Sequence, residues 1–311
     1  MTQHDGFVGI DVSKAQLDAC LWPDGEARAF ANDTQGLRDL LRWLHRLRPQ
    51  SVGFEASGGY ERALLAALCA ARLPARRVNP ARLRQFARAA GVLAKNDRID
   101  AAMIARFCAA LPQREARHDP LLATLAGLVT ARRQLCEERT RCTHQAEQAD
   151  HPLVKRLARQ RIKRLAAEIL LLETEIARIL AGRRDLADKH ERLRSAPGVG
   201  PVTAATLIAF MPELGSMTGR QAAALVGVAP FDCESGTFKG KRRIIGGRKP
   251  LRDALYMAAL VASRANPVIA AFYQRMKSAG KPPKVAIVAA MRKLLVALNA
   301  MLRDHTNWKN A

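Results

Sequence analysis

The chain has 311 residues, enough for two domains, or two domains and a helical connector, each with its own core. Lys and Arg number 51 against 28 Asp and Glu, and the formal charge of +23 is spread along the chain, so nucleic acid is the expected partner. The six cysteines contain no CxxC pair, which speaks against a disulfide framework and for a reducing cytosol, and no export signal or membrane span is legible.

Phe7 to Val12 is a short apolar run that predicts a strand, and Gln16 to Trp22 alternates as a second. Pro23-Asp24-Gly25 supplies a hairpin turn, and Ala27 to Ala31 a third strand. Thr34 to Leu47 has helical periodicity, Ser51 to Ala56 predicts a strand, Gly59 to Arg72 a helix and Ala75 to Val78 a short strand. A three-strand meander followed by alternating helices and strands predicts a mixed α/β sheet of the RNase H type.

From about Pro120 the pattern is charged and helical, with a break at Asp150-His151-Pro152. Beyond the break Ile162, Leu165, Ile169, Leu172, Ile176 and Ile179 form a heptad seam, the pattern of a coiled coil. An intramolecular helical hairpin, with Leu121, Leu125, Leu128 and Leu135 on the other face, satisfies the same seam. A third region opens at Ser195-Ala-Pro-Gly-Val-Gly-Pro201 and an apolar helix from Val202 to Phe210, and stays mainly helical to the end. Within it Phe231 to Arg248, rich in glycine and cations, predicts an exposed loop or hairpin. The expected division is 1–115, 116–192 and 193–311.

Asp11 lies inside an apolar strand, where a lone carboxylate is costly to bury unless a cation or hydrogen-bond donors meet it, and Glu55 repeats the situation at the end of Val52-Gly-Phe-Glu55. Asp97 and Asp100 follow three residues apart at a helix start, so both can face one side of its first turn. Four oxygen ligands from three elements suit Mg²⁺ or Mn²⁺ rather than zinc, and such a site would activate a nucleophile and stabilise the leaving oxygen in phosphodiester chemistry. Taken singly, Asp97 and Asp100 also suit a helix start through capping and the dipole.

Pro197-Gly-Val-Gly-Pro201, with Gly198 and Gly200, joins two helical stretches in the manner of a helix–hairpin–helix element whose backbone N–H groups can hold a phosphate; a plain interhelical turn is the other reading. Ser235 stands in a basic, glycine-rich segment with Lys239, Lys241, Arg242, Arg243 and, further on, Arg248. These cations could bind a scissile phosphate, leaving Ser235 as nucleophile or as a mere phosphate contact. Cys136, Cys142, His144 and His151 fall on or beside helical sequence at spacings unlike those of zinc sites.

The chain resembles the transposases of insertion sequence one-ten type, also called bridge-RNA-guided recombinases, with related DNA invertases. The matching segments are Gly9-Ile-Asp-Val-Ser-Lys14, Phe54-Glu-Ala-Ser-Gly-Gly59, Lys95-Asn-Asp-Arg-Ile-Asp-Ala101, Pro197-Gly-Val-Gly-Pro201, Ala229-Pro-Phe to Ser235-Gly-Thr, and Gly240-Lys-Arg-Arg243, in family order over nearly the whole chain. The resemblance implies a RuvC-like α/β domain whose DEDD tetrad falls on Asp11, Glu55, Asp97 and Asp100. It further implies a coiled-coil connector, and a mainly α transposase domain whose catalytic serine falls on Ser235 and attacks a DNA phosphate to form a phosphoserine. Donor and target DNA, a structured noncoding guide RNA, a homodimer or homotetramer and the bacterial cytosol are the expected partners and setting. A metal-only nuclease or junction resolvase and a non-enzymatic nucleic-acid-binding scaffold are the competing readings.

Overall fold

Alternation builds the first layer. In β1 (Phe7–Val12) Val8, Ile10 and Val12 are buried on one face, which leaves Phe7, Gly9 and Asp11 for the other. The computed structural model describes residues 6–56, 58–92, 97–111, 115–232, 234–235, 238–240 and 242–309, with backbone alone for 97–99, 234–235 and 238–239. β1 pairs antiparallel with β2 (Gln16–Trp22), and β2 antiparallel with β3 (Ala27–Ala31). On its other side β1 pairs parallel with β4 (Ser51–Glu55), which pairs parallel with β5 (Ala75–Val78). The order β3-β2-β1-β4-β5, a meander continued by parallel strands, is that of the RNase H-like sheet expected from the sequence.

One face of this sheet packs on α1 (Thr34–Leu47) and α2 (Arg62–Ala70), where Leu40, Trp43, Leu44, Leu64 and Leu68 meet Val8, Ile10 and Phe54. α2 begins three residues later than its periodicity predicts, because Gly58 and Gly59 adopt φ of 66° and 108° and turn the chain first. A further helix, α3 (Pro80–Ala89), is not among those the sequence pattern predicts. It starts where Asn79 Oδ1 accepts hydrogen bonds from the N–H groups of Ala81 and Arg82, with Pro80 in the first turn.

The other face carries α4 (Asp97–Ala110), and two glycines let it approach. A Cβ on Gly9 would run into Ala101 O and Ala105 N; one on Gly53 would run into Cys108 Sγ and lie 3.0 Å from Ile104 Cγ2. Phe7 packs with Phe107 and Cys108, two residues before Gly9 meets Ala101 and Ala105. The helix therefore runs antiparallel to β1 and begins at the carboxyl ends of β1 and β4.

This unit ends at Pro120, and a second unit spans Leu121–Ala311. Its α5 (Pro120–Gln148) and α6 (Pro152–Ala181) run antiparallel. Arg132 pairs with Glu173 at 2.6 Å, and Leu125 and Val129 share a core cluster with Ile176, Ile179 and Leu180. Ile176 and Ile179 of the heptad seam are thus packed from within the chain. α7 (Arg184–Arg194), α8 (Pro201–Phe210) and α9 (Gly219–Val226) follow, the last opened by a Thr218–Gln221 capping box. Two short ladders come next, β6 (Pro230–Phe231) with β9 (Arg243–Ile244) and β7 (Glu234–Ser235) with β8 (Phe238–Lys239). The chain closes with α10 (Lys249–Ala265), α11 (Pro267–Ser278) and α12 (Pro283–Arg303). By length and composition α12 passes for a membrane span, yet Ile287, Met291, Leu294, Leu295 and Leu298 lie in the core of this unit.

Candidate active site

Strand alternation and helix docking assemble the carboxylates. Asp11 shares its face with Gly9, and Glu55 shares its face with Gly53, and both glycines lie against α4. In the β1–β4 ladder Ile10 partners Phe54, so Asp11 and Glu55 occupy adjacent positions just beyond it. Asp97 opens α4 and Asp100 completes its first turn, next to the Ala101 carbonyl that abuts Gly9. Three elements thus bring all four positions to one edge of the sheet. Asp11, Glu55 and Asp100 are half-buried, and each makes further interactions; the side chain of Asp97 lies outside the described residues. Among the described side chains no three His, Cys, Asp or Glu groups close on a metal-binding point. The donor set is nonetheless all oxygen, the chemistry of Mg²⁺ and Mn²⁺ ligands.

The loops around this edge are tied together. Asn32 Nδ2 donates to Ser13 O at 2.8 Å and to Tyr60 O at 3.4 Å, joining the loop after β1 to the one after β4. Glu61, almost fully buried, accepts from Gly59 N–H at 2.9 Å and fixes the second of these loops. Asp18 was not singled out in the sequence, yet the β1–β2 register sets it opposite Asp11, where it accepts from Gln16 Nε2 at 2.8 Å. The three residues between β1 and β2 that define this register were the signal for it.

The basic segment of the second unit is only partly described. Ser235 lies in β7 and Lys239 in β8, paired Ser235 with Phe238 and Glu234 with Lys239; their side chains and all of Lys241 lie outside the described residues. Arg243 is exposed on β9 opposite Phe231, and Arg242 pairs with Asp232 at 2.5 Å. Arg248, expected among the phosphate contacts, pairs with a carboxylate of this chain. Its guanidinium forks onto Glu213 at 2.9 and 3.1 Å and donates to Phe210 O at the end of α8, so it anchors the base of the segment.

The Pro197–Pro201 turn is held by packing rather than by polar groups alone. Gly198, at φ 98°, faces Ala262 of α10 so closely that a Cβ would stand 2.7 Å from Ala262 N. Asn266, fully buried, donates to Pro197 O at 3.3 Å while its Oδ1 accepts from Val268 and Ile269 N–H groups. Gly200 is the N-cap of α8, has open space where a Cβ would stand, and provides no side-chain cap. Close by, His190 Nε2 lies 3.4 Å from Pro201 O, and burial holds its imidazole below the usual histidine range.

A mixed sheet of this order, with helices on both faces, is that of an RNase H-like fold. A family profile of DEDD transposases of the IS110 type matches residues 8–149, and one described as "Transposase IS116/IS110/IS902 family" matches residues 190–274. The chain belongs to the IS110 transposase family and is a DNA recombinase or transposase. It is 29% identical to the pilin gene-inverting protein of Moraxella bovis over 96% of both chains. It is 35% identical to an uncharacterized 42 kDa protein of insertion element IS900 from Mycobacterium paratuberculosis, over 52% of this chain and 42% of that one. Among solved structures it is similar to RuvC of Thermus thermophilus in complex with a Holliday junction substrate, at 18% identity, 36% of this chain, 100% of that chain and a TM-score of 0.28.

Proposed function

We propose that this chain cuts and rejoins DNA with two sets of groups: the carboxylates Asp11, Glu55, Asp97 and Asp100, and the nucleophile Ser235. The convergence of the four positions on one sheet edge carries the first half of the reading. These carboxylates would hold Mg²⁺ or Mn²⁺, which when bound polarises the phosphate and stabilises charge on the leaving oxygen. Asp11 and Glu55 stand on paired strands and Asp97 and Asp100 on the first turn of α4, so it is the backbone placement of the four that supports them as a ligand set.

Ser235 rests on family resemblance and on its setting among Lys239, Lys241, Arg242 and Arg243. Its Oγ attacks phosphorus, an Oγ–P bond forms as the P–O bond to one deoxyribose breaks, and the serine proton passes to the leaving oxygen. Attack by a deoxyribose hydroxyl on the phosphoserine reverses these bonds and rejoins a strand. The cations around Ser235 stabilise the added negative charge on the phosphate. The turn at Gly198 and Gly200 would hold a backbone phosphate as a helix–hairpin–helix element does. A structured guide RNA selecting donor and target DNA, and assembly as a homodimer or homotetramer in the cytosol, complete the reading. Its parts fall at 1–115, 116–192 and 193–311.

Denaturing gels of the full-length protein incubated with its DNA and Mg²⁺ test the serine. A protein–DNA adduct that Ser235→Ala lacks is expected. Cleavage without adduct would transfer the reading to a metal-only nuclease, and binding without cleavage to a scaffold.

A further inference from the structure

We propose that the α11–α12 hairpin, made of residues that belong neither to the carboxylate set nor to the Ser235 segment, is a docking surface for the phosphate backbone of duplex DNA. The inference needs DNA as substrate but no particular chemistry at Ser235. Between Asp253 and Asp304 the chain has no acidic residue and eight cations. Seven of them fall on α11, the connecting turn and α12; Arg303, at the end of α12, pairs with Asp304, which leaves six: Arg275, Lys277, Lys281, Lys284, Arg292 and Lys293. The first four are exposed and the last two half-buried.

On other helices of this chain some exposed cations are neutralised along the helix, as Arg133 is by Glu137, Arg164 by Glu168 and Lys249 by Asp253, while others, such as Arg156 and Arg159 of α6, have no ion pair among the described residues. Among the described residues none of the six has a carboxylate partner. Arg275 and Lys277 suit the dipole at the end of α11, but Lys284 stands in the first turn of α12, where the dipole disfavours a cation. Helix stability therefore does not account for it.

Three of these charges are already held in place. Arg275 and Lys293 lie 5.3 and 4.8 Å from the centre of the Phe272 ring, and Lys277 lies 5.8 Å from that of Tyr273. The turn is stiff as well: Gly280 N donates to Lys277 O, Lys281 N to Met276 O, and Pro282-Pro283 follows at once. Side chains and backbone fixed beforehand lose less freedom on binding. Of the exposed residues around these cations, Gln274, Ser278, Ala279 and Gly280 are small or polar, and Pro282, Pro283 and Val285 are apolar. Lysines acting as point charges contact phosphates without reading bases.

The test is duplex-DNA binding by the full-length protein without divalent metal, measured from about 50 to 200 mM salt. Lys277→Gln/Lys281→Gln/Lys284→Gln should lower the slope of log affinity against log salt by about 2.7, three contacts at about 0.9 each. The wild type then loses about 40-fold more affinity than the variant across that range. Arg133→Gln/Arg164→Gln/Arg178→Gln removes the same charge from ion-paired positions and should leave the slope unchanged. Equal effects of the two triple variants, or no effect of the first in a variant that unfolds at the wild-type temperature, would overturn the proposal. So would loss of binding to a structured RNA hairpin with duplex-DNA binding intact.

Discussion

Gly9→Ala puts one methyl group where α4 meets the sheet. That methyl would stand well inside contact distance of Ala101 O and Ala105 N, and 3.0 Å from Ile104 C, all of them backbone atoms that no rotamer change can clear. Non-bonded heavy atoms settle at about 3.5–4.0 Å, so α4 must retreat by at least about 1 Å. Overpacking a buried contact costs about 1–3 kcal/mol, and the backbone identity of these neighbours puts this site at the upper end. The retreat also carries Asp97 and Asp100 away from Asp11 and Glu55, and a misplacement of about 1 Å can reduce a catalysed rate about 100-fold. Urea unfolding gives the first quantity, and strand cleavage at a temperature where the variant stays folded gives the second. Gly127→Ala is the contrast: it lies in α5 with open space around it and should stabilise by about 0.5–1 kcal/mol. If Gly9→Ala unfolds and cleaves like wild type, the docking argument for the carboxylate site fails.

Asn266→Ala removes three hydrogen bonds from a fully buried group and strands Pro197 O; a loss of about 2–4 kcal/mol is expected in chemical denaturation, with weaker DNA binding once the turn loosens. Arg248→Met should cost about 1–2 kcal/mol, because the Glu213 fork is only partly buried, while leaving the salt dependence of DNA binding unchanged; a lower slope would make Arg248 a phosphate contact after all. Burial pushes the Cys108 thiol up to about 11, so iodoacetamide at neutral pH should label it only in urea, as read by mass spectrometry. Because the folded-state value is raised above the ordinary 9.0, this thiol should contribute a fall in stability as pH climbs from there through about 11.

The first sheet was legible because its strands alternate cleanly, and Asp11 and Glu55 stood out as acids among apolar neighbours. The helix that completes the site was less so. Nothing in the sequence marks Gly9 and Gly53 as docking positions, and only the folded sheet shows that their missing side chains admit α4. α3 escaped notice because Leu83 is the only residue it buries, which leaves too thin a stripe for periodicity, although Asn79-Pro80 signalled its start. Arg248 resembled its cationic neighbours until the fold placed Glu213, 35 residues away, beside it. For the α5–α6 seam the sequence supplied the apolar positions but not what covers them, since a helical hairpin and a subunit contact bury the same stripe.

The central claim, that the carboxylates where β1, β4 and α4 meet form a metal centre, is tested most directly by titrating Mn²⁺ into the full-length protein and into Asp11→Asn, following paramagnetic signal or heat. Wild type should bind with an affinity that falls at least about 10-fold in Asp11→Asn, a folded variant lacking one charged ligand. Equal binding by the two proteins, or none by either while wild type still cuts DNA, would contradict it.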